Sequence, residues 1–244
     1  MQSELINTAI YSGGFLILFA SGELLYHQFK LPVEITRKYV HIITGIICLS
    51  FPFVLTSHWS VLILTVSFVL ILIASKKFNL LKSINAVKRS TNGSFLFPLV
   101  IYITFWIYSY YGRHNVNGVD LDASTYDRFS LGGTVFYFLP ILILSISDPT
   151  AALVGKKFRL WPYKIFKDTK TIIGSAAFFV TAFFLSAIFL IPNCQSAFYA
   201  LGISAIIAIS TTLVEAICQK GFDNLFIPLT AAAILIIFQQ CLVL

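Results

Sequence analysis

The stretch from Leu144 to Lys170, LSISDPTAALVGKKFRLWPYKIFKDTK, begins in an apolar run and ends in a basic loop, with Asp148 at the join. Six cations follow that acid: Lys156, Lys157, Arg159, Lys164, Lys167 and Lys170. An ionised carboxylate at the edge of an apolar segment is costly unless a partner or a function holds it there. Two further stretches place polar chemistry beside apolar runs. His41 stands behind Arg37 and Lys38 in RKYVHIITG, and Glu215, Asp223 and Asn224 stand in EAICQKGFDNLFIP. Carboxylates hold Mg²⁺ through hard oxygen contacts, and Lys and Arg neutralise phosphate oxygens. Acids and cations together suit a metal–nucleoside triphosphate. Cations alone would suit lipid headgroups, and acids alone an ion path.

Membrane helices must position these residues. The chain of 244 residues is 58% hydrophobic and 11% charged, with a mean hydropathy of +0.87. A soluble domain carries about 25% charged residues to cover its surface. Apolar runs of about 20 residues, the length a bilayer asks of a helix, recur along the chain and do not alternate as barrel strands do. The expected fold is an all-α polytopic membrane protein with one domain over residues 1–244 and a polar cleft on its cytoplasmic side. About eight transmembrane helices are read at 8–26, 38–55, 59–75, 94–111, 131–147, 171–192, 197–217 and 226–243, with ends good to about two to four residues. The N-terminal MQSELINTAI has no Lys or Arg, so the first segment is expected to be a retained helix rather than a signal peptide. Cys48, Cys194, Cys218 and Cys241 have no CxxC spacing and read as small hydrophobes in packed helices.

Charge supports the helix count. Of the 17 Lys and Arg residues, all but Arg113 and Arg128 fall in odd-numbered loops. Cation bias sets orientation, so the odd loops are expected to face the cytoplasm with both termini outside. The net charge of +7 then sits on one face. Topology and anionic headgroups explain such a face but leave His41, Asp148, Glu215 and Asp223 unexplained. All four fall at cytoplasmic ends of spans, and their convergence would make the cleft.

Local chemistry adds detail. Asp148 precedes Pro149, a residue favoured at the first helical position, so Asp148 is expected to cap a short helix from Pro149 to about Val154. That cap alone is the plainer explanation of the acid. Gly155 would let the chain turn away or approach a phosphate. Lys167 and Lys170 precede span six, whose free N–H groups and positive dipole end would form an anion site, with Gly174 leaving the backbone open. His41 has a rival reading as a packed helix histidine, and Glu23 as a structural partner in the bundle. Asp120 and Asp122 in VDLDAS lack the Gly and Glu of a calcium loop and read as a solvated loop. With no GxxxxGK[ST] stretch present, a P-loop fold is excluded.

RKYVHIITG resembles the RKxxHxxxG segment of the CTP-dependent polyprenol kinase family, which includes dolichol, phytol and farnesol kinases and a diacylglycerol kinase branch. SDPTAALVGKKF with KTIIGS resembles that family's DxxAxxxGxxF…K(S/T)xxGS stretch, and EAICQKGFDNLFIPL its ExxxxxGxDNxxxP segment. The likeness runs from about Arg37 to Leu229 in the family's order. It implies γ-phosphate transfer from CTP, or a related nucleotide, to a membrane-embedded lipid alcohol, with Mg²⁺ as cofactor. Asp148, Lys170 and Gly174 fall on the nucleotide-binding motif, with Gly155, Lys156, Lys167 and Ser175 in and around it. Arg37, Lys38 and His41 fall on the first motif, and Glu215, Asp223 and Asn224 on the last. A second glycine often follows the Phe of GxxF, whereas here Arg159 follows Phe158. The short chain looks more like the phytol kinase branch than the longer dolichol kinases.

Role assignments follow from depth. Glu215, inside span seven, is expected to be base or second metal ligand; Asp223, read as lying in a loop, a metal ligand; His41 a substrate or phosphate contact. Asp148 would hold Mg²⁺ with the triphosphate. The expected partners are CTP, a lipid alcohol and the bilayer, without nucleic acid. The expected location is the bacterial inner membrane with the active site facing the cytoplasm. Diacylglycerol is an alternative acceptor. A cytidylyltransferase making CDP-lipid shares the SxxDxxAxxxG stretch, but its usual KD…HGGxxDRxDS segment is absent. A lipid transporter would stack polar residues through the full membrane depth, and here they crowd one end.

Overall fold

The computed structural model describes residues 2–78, 80–85, 92–112, 131–165 and 168–242. The expected residues Lys167, Asp120 and Asp122, and the cations Lys88, Arg89, Arg113 and Arg128, lie outside them. Helix α1 (Gln2–His27), α2 (Val33–Cys48) and the short α3 (Phe51–Val54) lead into α4 (His58–Lys77). The short α5 (Lys82–Asn85), α6 (Gly93–Ile107), α7 (Leu131–Leu142) and α8 (Asp148–Phe158) follow. An antiparallel hairpin of β1 (Pro162–Ile165) and β2 (Asp168–Thr171) then precedes α9 (Ile172–Leu190), α10 (Ala197–Ile217) and α11 (Asp223–Ile237).

Among the described residues, seven helical stretches are long and apolar enough to cross a membrane. Their outer faces carry Ile17, Leu70, Phe184 and Ile188, all exposed as lipid-facing residues should be. The eighth expected span is the 15-residue α11, about 22 Å long at 1.5 Å per residue, extended by a tight turn over Gln239–Cys241. The molecule is thus an all-α integral membrane protein with one small hairpin.

Contacts between elements sort the loops onto two ends. At one end the Asn7 side chain donates to Val54 O at 3.1 Å, and Gln195 N–H donates to Cys241 O at 3.1 Å. Both termini therefore lie with the α3–α4 and α9–α10 loops. At the other end Thr36 Oγ1 donates to Ser83 O (2.8 Å) and Asn92 N–H to Lys220 O (2.8 Å). Glu23, as the structural reading held, accepts from Ser83 N–H at 2.7 Å and holds α5 against α1. This sorting is the one that the cation parity implied.

Four local expectations are corrected. Helix α2 begins at Val33, right after Pro32, so Arg37 and Lys38 lie inside it rather than ahead of it. Asp148 does not cap a separate short helix. Helix α7 runs through a π-helical turn, Ile143–Ser147, straight into α8, and no side-chain cap bond forms. The chain does not turn at Gly155 but at Arg159, which is left-handed at φ 46°. That conformation is where glycine is favoured, and it is the position where the family often has one. Asp223 lies in the first turn of α11, not in a loop.

The core has two apolar clusters. One is built around Phe15, Phe51, Phe68 and Phe105, from α1 to α6, and the other around Phe136, Phe178, Ile207 and Leu235, from α7 to α11. The π-helical turn lies at the seam, and there α2 comes close: a Cβ added to Gly45 would collide with Ser145 Oγ.

Candidate active site

A cleft of about 610 Å³ opens at the end of the bundle that carries the odd loops. Helix α2 presents Arg37, Lys38 and His41 on successive turns, as the spacing of three and four requires. From α8 come Asp148, Gly155 and Lys156; the hairpin supplies Lys170; α9 supplies Gly174 and Ser175. Glu215 from the last turn of α10 and Asp223 and Asn224 from α11 close the ring. Every expected site residue within the described part of the chain lies on this cleft.

The acids are not bare. Lys38 Nζ donates to Asp148 Oδ2 in a buried ion pair whose side chains are 11% and 9% exposed. Lys170 Nζ meets both Glu215 Oε1, at 2.7 Å, and the Glu215 carbonyl. Ser175 Oγ donates to Glu215 Oε2 at 3.4 Å and bonds the Tyr163 hydroxyl at 2.7 Å. Glu34 bridges Arg37 (3.1 Å) and Lys156 (3.5 Å) at the rim. Asp223 accepts from Asn224 N–H at 3.0 Å, and Asn224 donates its side-chain amide to Gly93 O at 2.8 Å. Cys218, just past α10, has a thiol pushed up by burial first and the nearby Asp223 carboxylate second.

Three details decide what the cleft can do. Arg37 lines the cleft, and its Nε is buried without a protein hydrogen-bond partner. His41 Nε2 lies 3.2 Å from Leu144 O, a carbonyl in the π-helical turn. Pro149 brings no N–H to that stretch, so the ring N–H can serve a carbonyl there, leaving Nδ1 as the acceptor nitrogen of the neutral imidazole. The start of α9 is already capped: Ile172 N–H goes to Trp161 O at 3.1 Å and Gly174 N–H to Thr171 Oγ1 at 3.2 Å. Two of the N–H groups expected to be free there are thus occupied. Gly174 instead lets α9 approach α8, since an added Cβ would lie 2.9 Å from Ala151 O and 3.3 Å from Gly155 Cα.

Among the described residues, no group of three or more His, Cys, Asp or Glu gathers as a metal cage. That donor set fits Mg²⁺ in one way, with one or two carboxylates and the remaining ligands from phosphate and water.

A second cavity, apolar and about 260 Å³, lies between α1, α2, α4 and α6. It shares Arg37, His41 and Asn224 with the cleft. Sequence reasoning found the three shared residues but not the cavity. Its lining of Phe and Leu on four helices reads in sequence as ordinary core. The hairpin was missed too; its only signal was the alternating Tyr163, Ile165 and Thr169, Thr171 in a stretch read as loop.

The fold and site define an integral membrane protein whose polar cleft, lined by acids and cations, adjoins an apolar chamber. Over 226 residues the chain is 27% identical to the phytol kinase of Synechocystis sp., covering 93% of this chain and 87% of that one. That relative is a phytol kinase, one of the kinds of protein whose motifs the sequence resembles. No protein-family model matches the chain, and no solved structure matches it significantly.

Proposed function

We propose that the protein is a lipid-alcohol kinase that transfers the γ-phosphate of CTP, or a related nucleoside triphosphate, to a membrane-embedded isoprenoid alcohol. The observation that carries this reading is the junction of the two cavities. A polar cleft fit for a triphosphate and an apolar chamber fit for a hydrocarbon meet at Arg37, His41 and Asn224. A kinase joining a cytosolic nucleotide to a bilayer alcohol needs that juxtaposition, because phosphoryl transfer asks mainly for positioning and charge neutralisation. The likeness to a phytol kinase supports the acceptor class.

In this reading Lys170, Lys156 and Arg37 hold phosphate oxygens. Asp148 and Asp223 would hold Mg²⁺, which supplies charge neutralisation when bound. Glu215 keeps Lys170 in place through their 2.7 Å pair. An alcohol entering from the apolar chamber meets His41 before Glu215, since His41 lines both cavities and Glu215 only the cleft. We therefore assign the base role to His41 in this proposal, where the sequence reading had Glu215 as base or second metal ligand. Its Nδ1 takes the hydroxyl proton as the oxygen attacks phosphorus, and CDP leaves. The cation bias of the odd loops supports a cleft that faces the cytoplasm.

The test is a product assay with purified protein in nanodiscs, using γ-labelled CTP and a panel of prenols and diacylglycerol. Label on a prenol supports the proposal. Label on diacylglycerol alone changes the acceptor, a CMP moiety on lipid makes the protein a cytidylyltransferase, and no transfer to any lipid refutes the kinase reading. Arg37→Gln should lower kcat/KM about a hundredfold, the usual cost of losing one charge-stabilising contact.

A further inference from the structure

Resting on the kinase reading, we infer that the apolar chamber encloses the acceptor's hydrocarbon tail and that its closed end, at Phe51, limits the length of chain the enzyme takes. The chamber runs parallel to the helices. Its mouth, at the cleft, carries Arg37, Lys76, Asn85, Ser94 and Asn224. Its walls are Phe19, Val40, Phe68, Leu72 and Phe97. Its deep end is Phe15, Cys48, Phe51, Leu64 and Ile101. Most polar groups therefore crowd the end that meets the cleft, and Thr44 and Thr65 are the polar side chains farther in. From Arg37 to Cys48 along α2 the depth is about 16 Å at 1.5 Å per residue. That depth suits a chain of about farnesyl length, and with a volume of about 260 Å³ the chamber stops well short of a polyprenol.

The floor is rigid. The Phe51 ring packs edge-on against Tyr11 at 4.8 Å and Phe15 at 6.3 Å, and the Tyr11 hydroxyl bonds Ser50 Oγ at 2.6 Å. Phe51 itself is only 2% exposed. A void of this size lined by Phe and Leu would weaken the bundle if nothing filled it. Lipid tails are as apolar as the chamber wall, so a prenyl chain gains little by moving from one to the other. The chamber therefore acts by orientation and exclusion: it points the hydroxyl at His41 and rejects a chain that meets the floor too early.

The experiment measures kcat/KM for farnesol, geranylgeraniol and a long polyprenol with protein in nanodiscs, and counts retained alcohol by native mass spectrometry. Phe51→Ala removes the floor and should raise the polyprenol-to-farnesol ratio roughly tenfold or more. Thr65→Phe, on the chamber wall one residue from Leu64, raises the floor and should lower the geranylgeraniol-to-farnesol ratio by a similar factor. Ratios within one preparation do not depend on the fraction folded. Unchanged ratios in both variants, with alcohols still phosphorylated, overturn the tail chamber and leave the kinase reading standing. No transfer to any alcohol, with length-dependent retention that both variants shift, supports the chamber and refutes the kinase. Retention that ignores chain length overturns the chamber.

Discussion

Replacing Asp148 with Asn removes a charge from a buried pair while keeping the side chain's shape. Lys38 and Asp148 are 110 residues apart in sequence, and their side chains are 11% and 9% exposed. Removing one partner of such a pair costs about 3–5 kcal/mol, because the other charge stays buried alone. Both groups line the cleft, where some water reaches them, so the lower end applies, about 3 kcal/mol. For a chain of this size that lowers Tm by roughly 6–12 °C. The Lys38→Met/Asp148→Asn double variant leaves no unpaired charge and should recover most of that loss. Turnover should separate from stability. If Asp148 also serves the triphosphate, the double variant stays at least about a hundredfold slow. Thermal unfolding in detergent and single-turnover transfer from γ-labelled CTP measure the two quantities. A single-variant Tm shift below about 2 °C would refute the buried pair, and normal turnover in the double variant would reduce Asp148 to a partner for Lys38.

Lys170→Met leaves Glu215 unpaired and removes a cleft cation, so CTP affinity or turnover should fall about a hundredfold; an unchanged kcat/KM in the labelled-CTP assay would move Lys170 to a purely structural place. Gly45→Ala drives a methyl into Ser145 and should push α2 off the π-helical turn, costing about 1–3 kcal/mol and disturbing the His41–Leu144 contact; a wild-type Tm and rate would show that this approach is not tight. Lys82→Cys and Gln195→Cys, both at exposed positions in a Cys-free background, should label from opposite sides of the membrane, Lys82→Cys from the cytoplasm; labelling from one side would sink the topology.

The properties legible in the sequence were those that one segment carries by itself. Apolar runs of bilayer length gave the helical class, because a backbone in hydrocarbon must bond internally. Cation parity gave the sorting of the loops, because charge stays where the chain puts it in sequence. The three motifs held most of the residues on the cleft wall, though not Glu34, Arg159, Pro162 or Thr169. Where single-segment reasoning went further it failed at joins: Pro149 and Gly155 read as breaks, yet the helix passes through both, since a π-helical turn and packing against α9 absorb them. Only the tertiary structure decided which acid meets which cation. Lys38 could have paired with any acid at that end, and the seam between the two core clusters brings it to Asp148. Only the tertiary structure opened the apolar chamber as well, because a phenylalanine facing a void and one facing a neighbour have the same periodicity. The junction at His41 arises from both: the sequence supplied the side chain, and four helices that stop short of filling their own core supplied the space beside it.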